Sequence, residues 1–223
     1  MTTAIPTSNK PTFVFSVEGN IGAGKTTLLK AIEELKDPNI IVHYEPVSEW
    51  MNLGKKETGT SIFEMYYNDK KRYGFLFQMY ALQTRIKNLE ECIRKNPGKI
   101  ILTERCHMTD SEIFAKMMYK ERYMSPIEFQ VYQTWYNLAT KMTDLQVHGI
   151  IYLTLPYNDC IARIATRERP GEDSIELKYL KMLGTTHDEW ISNTTLPTLK
   201  IENTNGKDNA SAIVMWCKEQ TMV

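Results

Sequence analysis

Cysteine is scarce: Cys92, Cys106, Cys160 and Cys217 are the only four in 223 residues, they lie far apart, and none forms a C-x-x-C pair. That spacing excludes a disulfide framework, argues against a cysteine zinc site, and leaves reduced thiols as the expectation. An excess of either charge is missing too, since Lys plus Arg and Asp plus Glu each total 27 and the formal net charge is zero. Without a global basic field a nucleic-acid polymer has nothing to hold it, so any positive charge that matters must be local. No stretch approaches the roughly 18 apolar residues of a membrane span. The opening MTTAIPTSNKP has neither an apolar signal core nor an Arg-rich amphipathic pattern. Repeats, low-complexity tracts and a convincing linker are also absent from the sequence. The expectation is a cytoplasmic protein with no membrane or nucleic-acid partner. Residues 1–11 read as a disordered lead-in and residues 12–223 as one domain, a length that suits a single sizeable core.

What is present alternates. Short β-branched and aromatic runs at residues 12–17, 40–44, 99–103, 149–155 and 198–201 have strand length. Helical patterns fill the gaps at residues 25–35, 70–95, 110–119, 126–144, 158–166, 176–192 and 209–218. In the longest, Phe75, Met79, Leu82, Ile86, Leu89 and Ile93 recur at helical spacing, which predicts that this stripe faces the core. Residues 54–60 and the RPGED segment from Arg169 to Asp173 read as surface loops. Strands alternating with helices imply βαβ units, hence an α/β fold with a parallel sheet covered on both faces.

Three motifs carry chemistry. Gly19, Asn20, Ile21, Gly22, Ala23, Gly24, Lys25 and Thr26 fit G-x-x-x-x-G-K-[ST] between a predicted strand and a predicted helix, with Thr27 following. Inward-pointing backbone N–H groups, a helix N-terminus and a mobile ammonium make that turn an anion cradle, suited to a nucleoside triphosphate with Thr26 positioned for Mg²⁺. The second strand ends in HYEPVSEW and so sets Glu45 at a carboxyl end, where open α/β sheets place their ligand crevice. Residues alone leave Glu45 either a proton acceptor for an attacking hydroxyl or a solvated acid. The third strand ends in Glu104 and Arg105; Glu104 sits where the acid that completes a Mg²⁺ shell is expected, and Arg105 is placed to bridge Glu45 and a transferring phosphoryl group. Finally, Arg163 and Arg167 share a helical face and Arg169 opens a Pro-Gly turn, a set that reads as a closing lid or as a solvated charged face.

Taken in order, VEGNIGAGKTT, EPVSEW, YGFLFQMYALQTR, TERCHMTD and RIATRERPGED resemble the deoxynucleoside kinase family, its deoxycytidine, deoxyguanosine and deoxyadenosine kinase branch in particular, over nearly the whole chain. The resemblance implies a P-loop kinase fold with a five-stranded parallel sheet flanked by helices, an Arg-rich lid, and a homodimer packed through helices. It implies transfer of the γ-phosphate of ATP, with Mg²⁺ bound through Thr26 and Glu104, to the 5′-hydroxyl of a deoxynucleoside. Glu45 would be the base, Arg105 its neighbour at the transferring group, and Lys25, Arg163, Arg167 and Arg169 the holders of phosphate oxygens. Tyr67 and Glu172 would contact the sugar 3′-hydroxyl. Trp50, Phe77, Ala81 and Phe114 would line the base pocket, with Gln78 reading the base edge and Arg85 and Asp110 paired behind it. One position departs from the pattern: Cys106 stands where the family usually has serine.

Gln78, Ala81 and Arg85 share one stripe beside the apolar one, so on residues alone Gln78 and Arg85 either lie at the helix margin in water or need partners near the core; the resemblance, which pairs Arg85 with Asp110, implies the second and with it a base preference. Such a site suits an exocyclic amino group or a purine carbonyl and disfavours the thymine methyl. A nucleoside monophosphate kinase shares the P-loop and lid but needs extra cations for its acceptor, where EPVSEW offers a carboxylate. A nucleotide switch of the GTPase kind needs N-K-x-D or T-K-x-D, which residues 140–144 miss by one position.

Overall fold

The computed structural model describes residues 11–143, 145–203 and 207–222, so the proposed lead-in lies, except for its last residue, outside the described residues, as does Asp144. Five strands, β1 (Phe13–Gly19), β2 (Ile40–His43), β3 (Ile100–Glu104), β4 (Gly149–Thr154) and β5 (Thr198–Glu202), pair in the order β2-β3-β1-β4-β5. Every pairing is parallel. All five residues of β3 are buried, as are the last six of β1. Strands buried on both faces must be covered by helices on both, and they are.

The helices are α1 (Lys25–Glu34), α2 (Val47–Asn52), a single turn α3 (Lys55–Thr58), α4 (Ile62–Asn68), α5 (Lys70–Lys95), a short turn α6 (His107–Thr109), α7 (Lys116–Lys120), α8 (Pro126–Met142), α9 (Tyr157–Arg167), α10 (Leu177–Asn193) and α11 (Ala210–Gln220). A wide π-type turn, Asp110–Ala115, joins α6 to α7, and a 3₁₀ turn, Glu172–Ser174, precedes α10. On one sheet face Leu28, Leu29 and Ile32 of α1 and Ile213 and Val214 of α11 pack with Phe15, Val17, Leu102 and Ile151. The other face carries the larger core, built with α4, α5, α10 and the π turn.

Five sequence expectations are corrected. The RPGED segment is not simply a surface loop, since Gly171 and Glu172 are buried and a 3₁₀ turn starts at Glu172. Residues 54–60 are exposed as expected but contain a helical turn, and α2 and α4 lie where no helix was expected. Helical backbone begins at His107 rather than residue 110, and its middle is widened. The predicted core stripe of α5 is rotated. Leu82, Ile86 and Leu89 are buried, but Phe75, Met79 and Ile93 are only half-buried, while polar Gln78, Thr84 and Arg85 are fully inside. The reason is tertiary: Arg85 meets Glu45 just after β2, the Glu104 carbonyl of β3 and Asp110 of the π turn, and Thr84 meets Trp50 of α2, so polarity does not decide which side faces out.

The first β–α connection is as tight as its glycines allow. Gly22 has φ +81, and a Cβ there would lie 2.5 Å from the Cys160 carbonyl oxygen of α9. Gly24 has φ +89, and its Cβ would come within 2.9 Å of an Arg163 nitrogen. Both conformations suit glycine alone, and the loop is thereby seated directly on α9.

Candidate active site

The carboxyl ends of β1, β2 and β3 converge, as expected for the crevice of an open parallel sheet. In the loop after β1, Lys25 is buried and its ammonium donates to the carbonyls of Gly19 at 3.1 Å and Asn20 at 2.8 Å. The Asn20 side chain braces the turn, donating to the Leu180 carbonyl at 2.8 Å and accepting from the Ile21 N–H at 2.9 Å. Ala23 is packed in the core, and its carbonyl accepts from the Asn203 amide at 2.7 Å. Burial, reinforced by the Arg105 charge, lowers the Lys25 pKa to about 7.

Glu45 follows β2, its side chain 8% exposed, and Pro46 turns the chain straight into α2. Its Oε1 accepts from Arg85 and from Arg105, each at 3.0 Å. Burial opposes ionisation here, yet the two guanidinium groups and the Lys25 ammonium outweigh it and hold the carboxyl well below its usual range. Arg105 adopts φ +59, a costly conformation for a side-chain-bearing residue, and also donates to the Gly19 carbonyl at 3.2 Å. Its guanidinium lies 5.0 Å from the centre of the Phe114 ring. Arg85 reaches in from α5: its Nε donates to Asp110 at 2.8 Å and another of its nitrogens to the Glu104 carbonyl at 3.2 Å. Burial pushes the Asp110 carboxyl up to about 6 even against Arg85.

Two connected spaces meet at these charges. A narrow cleft is walled by the aromatic rings of Trp50, Phe63, Tyr66, Tyr67, Phe77 and Phe114, with Gln78, Ala81, Arg85, Asp110 and Glu172 also lining it. Phe77 stacks on Tyr66 at 4.5 Å and meets Trp50 edge-on at 5.5 Å; the Trp50 indole N–H is satisfied by Thr84 at 2.8 Å. The buried Gln78 Oε1 has no hydrogen-bond partner among the described residues and so is free for a ligand. Outside lies an open groove of about 990 Å³ lined by Gly22, Gly24, Thr26, Thr27, Arg163 and Thr166. Lys25, Glu104, Arg167 and Arg169 line both spaces. Arg163 donates to the Asn203 carbonyl at 3.3 Å. Arg167 and Arg169 both close on the buried carboxylate of Glu172, at 2.5 Å and 3.1 Å. Ile21, counted with the phosphate loop, turns its side chain into the cleft.

The Thr26 hydroxyl donates to Glu104 at 2.8 Å, and burial together with the Glu45 charge raises the Glu104 pKa. One hydroxyl and one carboxylate make a poor cage alone but fit a Mg²⁺ ion that draws its other ligands from phosphates and water. In keeping with that, no group of three or more His, Cys, Asp or Glu among the described residues is placed to hold a metal by itself.

Residues 15–219 match the family model described as deoxynucleoside kinase. The chain belongs to the deoxynucleoside kinase family. It is therefore an ATP-dependent kinase acting on deoxynucleosides, built on the P-loop kinase fold. A probable deoxycytidine kinase of Fowlpox virus (strain NVSL) is 33% identical over 177 residues, covering 79% of this chain and 71% of the relative. Deoxycytidine kinase of Homo sapiens is 31% identical over 200 residues, covering 82% and 76%. The mitochondrial deoxyguanosine kinase of Xenopus laevis is 30% identical over 195 residues, covering 81% and 73%. Among the described residues no helix of this kinase is long and apolar enough to cross a membrane.

Phe63 and Tyr66 of the aromatic wall were missed from sequence. A signal existed: Ser61 and Glu64 form a reciprocal capping box, the Ser61 N–H donating to Glu64 at 2.9 Å and the Glu64 N–H to Ser61 at 3.2 Å. S-x-x-E before an apolar run announces a helix start.

Lys25 gives a pH test. Free Lys25 is half-neutral near pH 7, whereas bound phosphate favours its charged form, so ATP binding takes up a proton. The ATP Kd is expected to rise between about pH 7 and about pH 9, by up to about tenfold per pH unit, because only the charged lysine holds phosphate. Burial holds His43 and His107 at about 4 and His187 at about 3, so these histidines stay neutral over that window. Calorimetry in buffers of different ionisation enthalpy measures the proton uptake, and Lys25→Met should abolish it.

Proposed function

We propose that the protein moves the γ-phosphate of ATP to the 5′-hydroxyl of a deoxynucleoside carrying adenine, cytosine or guanine, as a step of nucleotide salvage. The observation that carries this reading is Glu45 held by Arg85 and Arg105 at the junction of an aromatic cleft and a phosphate-sized groove. The nucleoside lies in the cleft, and the triphosphate lies in the groove over residues 19–27. Glu45 is the base: both guanidinium contacts fall on Oε1, and Oε2 takes the hydroxyl proton. Arg105 and Lys25 stabilise the transferring group, while Arg163, Arg167 and Arg169 close as a lid that excludes water. Tyr67 and Glu172 hold the sugar 3′-hydroxyl. Thr26 and Glu104 would hold Mg²⁺, whose charge would offset that of the phosphates. A monophosphate acceptor is disfavoured because Arg85 is already committed to Asp110 and Glu45.

Glu45→Gln keeps size and polarity but removes proton acceptance. It should lower kcat by about 100-fold or more with little change in nucleoside affinity. ADP release should require a deoxynucleoside and be absent with no acceptor or with a nucleoside monophosphate; near-normal turnover in the variant removes Glu45 from this role.

Base choice rests on Gln78 backed by Arg85 and Asp110. An amide can donate and accept along a base edge, whereas the thymine methyl would meet an ion pair it cannot solvate. Deoxycytidine and deoxyguanosine kinases among the relatives favour the same choice. Thymidine is expected to be the poorest of the four deoxynucleosides. The double change Arg85→Met with Asp110→Ala should raise its kcat/KM relative to the others, while absolute rates fall because Arg85 also holds Glu45.

The active form is a homodimer formed through α8 and α5. Ile127, Val131, Trp135, Leu138 and Met142 recur every three or four residues along α8, yet are 40–76% exposed. They adjoin Leu76, which is 55% exposed, and a groove lined by Met79, Tyr80 and Ile86. A second copy presents the same stripe and buries it isologously. Light scattering should give twice the mass of one chain, and Trp135→Glu with Leu76→Glu should halve it.

A further inference from the structure

Glu18, in the central strand, is unused by the mechanism above. It is fully buried, an arrangement that costs several kcal/mol for an uncompensated carboxylate. Its Oε1 accepts from the Ser16 hydroxyl at 2.5 Å and the Thr109 hydroxyl at 2.6 Å. The Cys106 sulfur, where the family usually has serine, adds only a contact at 3.9 Å. Its Oε2 has no hydrogen-bond partner among the described residues, and neither has the buried Arg105 Nε. Arg105 is fastened on both sides of Glu18: its backbone N–H donates to the Val17 carbonyl at 3.1 Å and its guanidinium to the Gly19 carbonyl at 3.2 Å. These two contacts lie on either side of Glu18 along β1. Against the burial that disfavours it, the charge of Arg105 is supported by Glu45 and, next, by Glu18.

Charge bookkeeping shows why this matters. Among the described residues Arg85 has two carboxylate partners within ion-pair distance, Asp110 and Glu45, whereas Arg105 has only Glu45. When Glu45 takes the proton of the acceptor hydroxyl, Arg85 keeps Asp110 but Arg105 loses its carboxylate partner. Its remaining counter-charge is then the phosphoryl group, which is itself moving, so the guanidinium is held by no fixed anion within ion-pair distance among the described residues. We propose that Glu18 is a positioning residue for Arg105, a second fixed anion that keeps the guanidinium at the transferring phosphoryl group after Glu45 is neutralised. This rests on the reading of Glu45 and Arg105 given above.

The test is a double-mutant cycle. Glu18→Gln retains volume and can still accept from Ser16 and Thr109, so only the charge is lost. It should lower kcat by about tenfold with nucleoside KM changed less than about threefold, and in an Arg105→Lys background its effect on kcat should shrink to less than about twofold. An equal loss in both backgrounds, or a wild-type kcat in Glu18→Gln, overturns the proposal. If Glu18→Gln does not fold, Thr109→Val keeps the charge but removes one of the two hydroxyl donors that anchor Oε1; a kcat loss confined to the Arg105 background supports the proposal, and a loss in both overturns it. Wild-type kcat in Arg105→Lys alone overturns the parent reading of Arg105, and this proposal with it.

Discussion

Three cations, Lys25, Arg85 and Arg105, are buried at one edge of a parallel sheet, and this is possible only because carboxylates are buried with them. Glu45, Glu104 and Asp110 provide the balance within the cleft. Removing Glu45 leaves Arg105, and removing Arg85 leaves Asp110, without an ion-pair partner among the described residues at low dielectric, which is far more costly than losing a surface ion pair. The residues come from four separate segments: the loop after β1, the end of β2, the middle of α5, and the β3 end with the π turn. Their charges can be neutralised only when all four segments are in register, so the electrostatics and the topology specify each other.

The aromatic wall is the apolar counterpart of this constraint. Trp50, Phe63, Tyr66, Tyr67 and Phe77 contact one another edge-on or stacked, and such pairs add to simple area burial. Arg85 runs under Trp50, with its guanidinium 5.4 Å from the ring centre. The ring shields the charged network from water and is itself held by it. This is why one cleft can offer an apolar slot for a flat ring beside a strongly polar end.

Much of this was legible in the sequence because it is written locally. The glycine loop needs residues of fixed type at fixed spacing, and the strands announce themselves by β-branched runs. Glu45 is marked by its position before Pro46. What was not legible depends on distant partners. The face of α5 was misjudged because Arg85 looks solvent-seeking until Asp110 and the Glu104 carbonyl come within reach. The short helices α2 and α4 carry too few turns for periodicity to declare them. The widened turn at residues 110–115 has no composition of its own. Glu18 was hidden inside a familiar motif, where nothing in its neighbours showed that one of its oxygens would be left alone.

The pairing of Arg167 and Arg169 with Glu172 makes the cleft its own competitor. Two guanidinium groups facing the shared space are already occupied by an internal anion. Any incoming phosphate gains from them only the difference between its attraction and that of Glu172. A ligand that also offers Glu172 a hydroxyl to hold compensates the carboxylate for what it gives up, whereas phosphate alone strands it. With Glu172 holding the sugar hydroxyl and the two arginines the phosphates, as proposed, affinity for the donor and occupancy by a sugar-bearing acceptor would be thermodynamically linked through one buried carboxylate.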